Sequence, residues 1–344
     1  MAGNDGGVQM KARLVDVAKE AGVSPKTVSN YLNGYPFMSE KTISRVRRAV
    51  EKLDYTPNRS AQTLRTGKMG IIGLAVPNLR APYFAGLAAE ITDAAEERGY
   101  TLLIDQTGAD LERERRAVRG VGPQALDGLI VSTLKLTAED VAAAQDAMPV
   151  VVLGEWARPA GVPYVGVDNV AAAMAATEHL LAMGRRRIAA IGRIGDQPAG
   201  TWGVRITGYR QALSAAGLDA DPRLEPQIRD FHFDQGAAAM QQLLDLDTPP
   251  DAVFCFSDML AIGALSVLHR RGVSVPDEMA VIGWDDTVEA QYCWPPLTSV
   301  RADTTVVART AVDYLIKQID RSPIERTDFY VDYQIVQRRS TLPS

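Results

Sequence analysis

The chain has 344 residues, 46% apolar and 23% charged, and no uncharged apolar run approaches the ~18 residues of a membrane helix, so composition describes a globular protein of two or three domains with no membrane span. Its two cysteines (Cys255, Cys293) sit in apolar or aromatic stretches and its three histidines (His179, His232, His269) are scattered; a disulfide scaffold is excluded, and neither a metal nor another cofactor is expected. The net charge of −5 hides a division: residues 1–68 hold 12 Lys and Arg against 6 acids, or +6, and the remainder carries −11. A basic head on an acidic body is the footprint of a protein whose head alone meets a polyanion, although charge by itself also fits a solvated basic face.

Residues 1–11 are polar and glycine-rich, without an apolar core or a cleavage site, and read as a disordered N-terminus in a protein that stays in the cytoplasm. Leu14, Val17, Ala18 and Ala21 then recur at helical spacing, and Gly22 ends that helix in a tight turn. Ser24 caps a second helix with Pro25 at its first position, continued by Thr27, Val28, Tyr31 and Leu32 and stopped at Asn33-Gly34. A third begins at Ser39 and carries Ile43, Val46, Val50 and Leu53 on one face, with Arg45, Arg47, Arg48 and Lys52 around them. Two short helices joined by a small glycine-containing turn make a helix-turn-helix, placed here at 12–57, whose second helix lies in the major groove of duplex DNA. That helix is expected to expose Pro25, Lys26, Ser29 and Asn30.

The segment LVDVAKEAGVSPKTVSNYLNG, followed by SEKTISRVRRAVEKLDYTPNRSAQTLRTGK, resembles the DNA-binding head and hinge of the LacI/GalR family of bacterial transcription regulators. The resemblance implies that Lys26, Thr27, Ser29 and Asn30 contact an operator. It also implies a hinge helix and linker at 58–68, where Asn58, Arg59, Gln62, Leu64 and Arg65 enter the minor groove and Leu64 wedges between base pairs. An apolar wedge flanked by Arg59 and Arg65 can unstack a base step while phosphate contacts hold it in place. Many family members carry arginine where this chain has Asn30, and asparagine suits adenine better than guanine.

From Met69 onward, short apolar runs (GIIGLAV, TLLIDQ, GLIVST, VVVLGE, RIAAIGRI, AVFCFS, MAVIGW) alternate with amphipathic helices such as 84–98, 170–183 and 259–271. Read as buried parallel strands separated by helices, they predict an α/β doubly wound core of two lobes. Ligands of such folds bind beyond the carboxyl ends of the strands. The residues there are Tyr83 and Phe84, Glu155 and Trp156, Trp202 and Arg205, Ser257 and Asp258, and Trp284, Asp285 and Asp286. Carboxylates and a guanidinium that bond hydroxyls, beside aromatic faces, suit a sugar; as a bland alternative each is a capping or loop residue.

The same family resemblance extends through GLAVPNLRAPYF, YVGVDNVAAAMAATEHLLAMGRRRIAAI, VRITGYRQAL, FSDMLAIGALSVLHRRGVSVPDEMAVIGWDD and PPLTSVR. It implies an all-α helix-turn-helix head plus an α/β periplasmic-binding-protein-like core spanning 69–344. The N-lobe would take about 69–168 plus 302–329, and the C-lobe about 169–301 plus 330–344. Arg205 is similar to the family's ligand-binding arginine and Asp285 to an acid of its effector cleft; Ser257 stands where asparagine is common, and Glu155 where aspartate is. The chain is accordingly expected to be a non-enzymatic cytoplasmic, nucleoid-associated repressor of carbohydrate-utilisation genes. Its partners would be double-stranded operator DNA, a small sugar-type effector and a second copy in a homodimer, with no membrane. A purine, nucleoside or phospho-metabolite corepressor is the alternative effector.

Two other classes fare worse. Gly192-Arg193-Ile194-Gly195 lacks the G-x-G-x-x-G spacing of a dinucleotide loop, and neither a P-loop nor a nucleophile elbow occurs. A solute-binding protein for transport would share the fold, but it would need an export signal and no DNA-binding head.

Overall fold

A computed structural model describes residues 12–32, 35–55, 68–120, 126–154, 160–196 and 200–342. These fall into two compact units that divide between Met69 and Gly70.

Among the described residues, the first unit has three helices, α1 (Leu14–Ala21), α2 (Pro25–Leu32) and α3 (Glu40–Lys52). Val17, Ala18, Ala21, Val28, Val46 and Ala49 form its core, the positions that helical periodicity marks as one face of each helix. Gly22 closes α1 in the left-handed region at φ +62°, where a side chain would be strained, and its carbonyl accepts a hydrogen bond from Arg45 Nη2 on α3 at 2.8 Å. Ser24 caps α2 by accepting from the Thr27 amide at 3.1 Å, and Ser39 caps α3 by accepting from Thr42 at 3.3 Å. Lys52 on α3 pairs with Glu20 on α1 at 2.7 Å.

The second unit runs β1 (Ile71–Val76), α4 (Pro82–Glu96), β2 (Thr101–Gln106), α5 (Leu111–Val118), β3 (Gly128–Ser132), α6 (Ala138–Ala147), β4 (Val150–Leu153) and β5 (Tyr164–Gly166). It continues through α7 (Asn169–Ala182), β6 (Ile188–Ile191), β7 (Arg193–Ile194), α8 (Gly200–Ala215), β8 (Gln227–Ile228), α9 (Phe233–Leu244), β9 (Ala252–Cys255) and α10 (Asp258–Arg270). The last elements are β10 (Ala280–Trp284), α11 (Val288–Tyr292), β11 (Thr298–Ala302), α12 (Thr304–Ile319), β12 (Asp328–Tyr330) and β13 (Tyr333–Val336).

Two main sheets result. One has the order β12-β5-β4-β3-β1-β2 and is parallel throughout; the other, β13-β11-β10-β9-β6, is parallel except for β13. The chain crosses from the first sheet to the second after β5, returns after β11, and crosses once more between β12 and β13. Helices cover both faces, so strand residues alternate between two cores: in β9, Val253 and Cys255 pack with Met240 and Leu260, while Ala252 and Phe254 pack with Leu180, Ile206 and Tyr209. The first sheet has its own cores, one of which joins Ile72 and Leu74 to Leu87 and Ile91 of α4 and Val307 and Leu315 of α12.

Two departures from the sequence reading are structural. TLLIDQ, read as a buried strand, is the edge strand β2, and Leu103 and Ile104 are exposed at 38% and 41% because it has only β1 beside it. The run RIAAIGRI is not one strand: it breaks into β6, in the second main sheet, and β7, which pairs with β8 in a separate two-stranded sheet.

Candidate functional site

In the first unit α2 carries the residues expected to contact DNA. Pro25 and Lys26 are exposed, while Thr27, Ser29 and Asn30 are half-buried, less open than expected because α2 is short and Val28 anchors it in the core. The Thr27 hydroxyl lies 2.9 Å from the Ser24 hydroxyl, and the Asn30 carbonyl accepts from the Tyr35 amide at 2.9 Å. Lys41, Arg47 and Arg48 of α3 are exposed. This unit therefore offers hydrogen-bonding side chains on one short helix beside a basic surface, the chemistry of base-edge and phosphate contact. Asn58, Arg59, Gln62, Leu64 and Arg65 lie outside the described residues.

In the second unit, Tyr83 and Phe84 stand in the first turn of α4, which Pro82 opens, with their rings edge-to-face at 5.1 Å between centroids. Arg205 comes from α8 and is buried; Nε donates to Asn169 Oδ1 at 2.8 Å, Nη1 donates to the Phe256 carbonyl, and the guanidinium lies over the Trp284 ring at 3.8 Å from its centroid. Asp285 follows β10. Burial drives its carboxyl well above the usual carboxylate range, with Arg205 pulling it down and Asp258 adding to the rise. Burial likewise pushes the Tyr83 hydroxyl up to about 12, with further upward pressure from Asp285 and an opposing pull from Arg205. Tyr83 and Asp285, both half-buried, thus lie within electrostatic reach of buried Arg205: a hydroxyl, a fixed cation and a carboxyl together can bond several hydroxyls of one small ligand.

The other expected residues are placed differently. Trp202 and Trp284 are only 6% and 5% exposed and pack in the second sheet's core. Trp284 has Arg205 over its ring and Phe254 stacked on it at 6.2 Å, so neither tryptophan offers a broad open face. Ser257 caps α10, its hydroxyl accepting from the Leu260 amide at 3.3 Å. Asp258 is fully buried, and its two oxygens accept from the Ser299 hydroxyl at 2.6 Å and the Thr287 amide at 2.7 Å. Burial pushes its carboxyl up to about 7 against the pull of those two hydrogen bonds. Asp286 pairs with Arg338 at 2.5 Å and Arg301 at 3.5 Å. Glu155 and Trp156 lie outside the described residues.

Sequence reading passed over Asn169, Ser299 and Arg338, which hold these groups. Asn169 could have been found, since it opens α7 directly after β5; Ser299 and Arg338 act only through contacts between distant segments. Among the described residues, no group of three His, Cys, Asp or Glu could hold a metal ion, and no helix is long and apolar enough to cross a membrane.

Residues 13–58 match the family described as "Bacterial regulatory proteins, lacI family", and residues 177–341 match the "Periplasmic binding protein-like domain". Over 334 residues the chain is 35% identical to the HTH-type transcriptional regulator CelR of Thermobifida fusca, with 94% of this chain and 96% of that protein covered. Two solved structures are similar over 96% of this chain and 99% of theirs. One is a complex of the transcriptional regulator CelR with cellobiose, at 33% identity and a TM-score of 0.69. The other is the lac repressor dimer bound to operator and the anti-inducer ONPF, at 26% identity and a TM-score of 0.82.

Proposed function

The chain belongs to the lacI family of bacterial regulatory proteins and is a DNA-binding transcriptional regulator, and from that premise we propose that it represses carbohydrate-utilisation genes and leaves its operator when a small sugar binds between its two main sheets. The observation that carries the sugar reading is that half-buried Tyr83 and Asp285 lie within electrostatic reach of buried Arg205. Asp285 and Tyr83 supply acceptors and donors for ring hydroxyls, and Arg205 is held rigid by Asn169 and Trp284, so the ligand is met by groups already ordered. The partly buried rings of Tyr83 and Phe84 can cover the apolar face of a pyranose. Burial of Trp202 and Trp284 favours a polyol over a purine or nucleoside, which would want broad open aromatic faces. Similarity to a CelR–cellobiose complex points the same way.

On the DNA side, Lys26, Thr27, Ser29 and Asn30 read the operator in this proposal, aided by Asn58, Arg59, Gln62, Leu64 and Arg65. A homodimer doubles these contacts on a pseudo-palindromic site. Sugar and operator oppose each other because each favours a different state of the protein, and thermodynamic reciprocity then makes operator weaken sugar binding by the same factor.

The test is thermal stability of the purified protein against cellobiose, other mono- and disaccharides, polyols, purines, nucleosides and sugar phosphates, since a ligand of the folded state raises the melting temperature by mass action. A rise with a neutral sugar is expected. A rise only with purines, nucleosides or phosphorylated compounds would overturn the sugar reading.

A further inference from the structure

The backbone after β10 is unusual. Asp285 has φ +111° and Asp286 φ +51°, two successive non-glycine residues in a region that L side chains rarely adopt, and such strain persists only where the surroundings impose it. Each amide of the turn has a definite acceptor. Asp285 N–H donates to the Val300 carbonyl at 2.9 Å, Asp286 N–H to the Ser299 hydroxyl at 3.0 Å, and Thr287 N–H to Asp258 Oδ2 at 2.7 Å. The Ser299 hydroxyl in turn donates to Asp258 Oδ1 at 2.6 Å, so two of the three amides are governed by one buried carboxyl, one directly and one through a hydroxyl that accepts and donates at once. On the other side of that carboxyl is Gly283 of β10, where an added Cβ would lie 2.3 Å from Asp258 Oδ1; glycine is what lets the carboxyl approach the strand.

We propose that Asp258 is a positioning residue: with Ser299 as its relay, it holds the turn at residues 285–287 so that the Asp285 carboxyl meets Arg205 and Tyr83, and it does so without touching the effector. The proposal rests on the reading of Asp285 as an effector ligand. A buried carboxyl is costly unless its oxygens are matched, and here both are matched by groups of, or adjoining, the strained turn. Its position at the start of α10 ties the end of β9 to the end of β10, so the strand ends are registered against each other. Asp285 is faced by Arg205 from α8, Tyr83 from α4 and Asp258 itself, and their combined field depends on where the turn puts it.

Asp258→Asn removes an ionisable group as well as an acceptor and can fail to fold, so the deciding variant is Ser299→Ala, which breaks the relay and keeps every ionisable side chain. Two quantities are read on the full-length protein: the titration of the Asp285 carboxyl by 13C NMR with labelled aspartate, and the affinity for cellobiose by calorimetry. The proposal expects the Asp285 midpoint to fall by about one pH unit as the turn relaxes toward solvent, and cellobiose to bind about tenfold more weakly. An Asp285 midpoint that is the same in Ser299→Ala as in the wild-type chain would overturn it. A wild-type chain that ignores cellobiose contradicts the choice of that sugar and leaves the titration, which needs no ligand, to decide the positioning role.

Discussion

In the first unit the proposed operator contacts Lys26, Thr27, Ser29 and Asn30 occupy five consecutive positions' worth of one helix, whereas in the second the proposed effector ligands Tyr83, Arg205 and Asp285 come from about two hundred positions of chain. The helix needs only a small core, Val17, Val28 and Val46 among its members, to present its polar side. The second site needs two sheets, their crossovers, and a strained turn held by residues from two further segments, at Asp258 and at Ser299. Recognition of a repetitive polyanion can be built locally, but enclosure of a small polar ligand cannot. Opposite charges on the two regions, +6 and −11, keep the polyanion to the first.

The comparison is broken most severely at the core of the small unit. Val28→Asp buries an unpaired charge among Val17, Ala21 and Val46 and should cost on the order of 4 kcal/mol or more, unfolding that unit. Gel-shift binding to the operator should vanish while cellobiose binding by calorimetry persists; loss of both would show that the two regions do not act separately. Arg205→Ala is the mirror case. It strips Asn169 and the Phe256 carbonyl of their donor, uncovers Trp284, and should lower the stability of the second unit by roughly 1–3 kcal/mol. The ligand response should disappear with operator affinity intact, as anisotropy titrations with and without cellobiose would report.

Further effects sharpen the picture. Asn30→Ala should cost about 1–3 kcal/mol of discrimination at one base pair and little on random DNA, checked by titrating single-base operator variants. Equal losses on all sequences would remove its base-reading role. A separate effect is a pH slope in the second unit. Asp258 and Asp285 have folded-state values above the ordinary carboxylate range, so between about pH 4 and their raised midpoints the folded chain binds protons that the unfolded chain has released. Their contribution is complete below about pH 4 and is lost as pH rises through about 7 for Asp258. The melting temperature of the second unit should therefore fall between about pH 5 and pH 8, and Asp258→Asn should flatten that fall.

The small unit was legible almost residue by residue, because caps such as Ser24 and Ser39 and the αL glycine at position 22 are local signals. In the second unit the long apolar runs gave most strands, but β5, β11, β12 and β13 were not read as strands: they are three to five residues long, and β12 and β13 are half-exposed edges. Arg205, Asp285 and Tyr83 were singled out as candidate ligands from the segments that follow strands, and Arg205 lies inside helix α8 rather than in a loop. The directions of Trp202 and Trp284, by contrast, are set by which core takes them, and a sequence does not print that. Asp258 shows the same limit: its position at a strand end suggested a ligand, while its partners, Ser299 and Thr287, are 41 and 29 residues away.

The central claim is that a sugar held by the second unit weakens the grip of the first on DNA. It is tested most directly by anisotropy of a labelled operator duplex, selected from random sequences by the protein itself, titrated with protein at zero and saturating concentrations of the sugar that most raises the melting temperature. The account predicts operator affinity lower by a factor of roughly 5–150 with sugar present, and sugar affinity lower by the same factor with operator present. Operator affinity that is unchanged or raised by the bound sugar would contradict it.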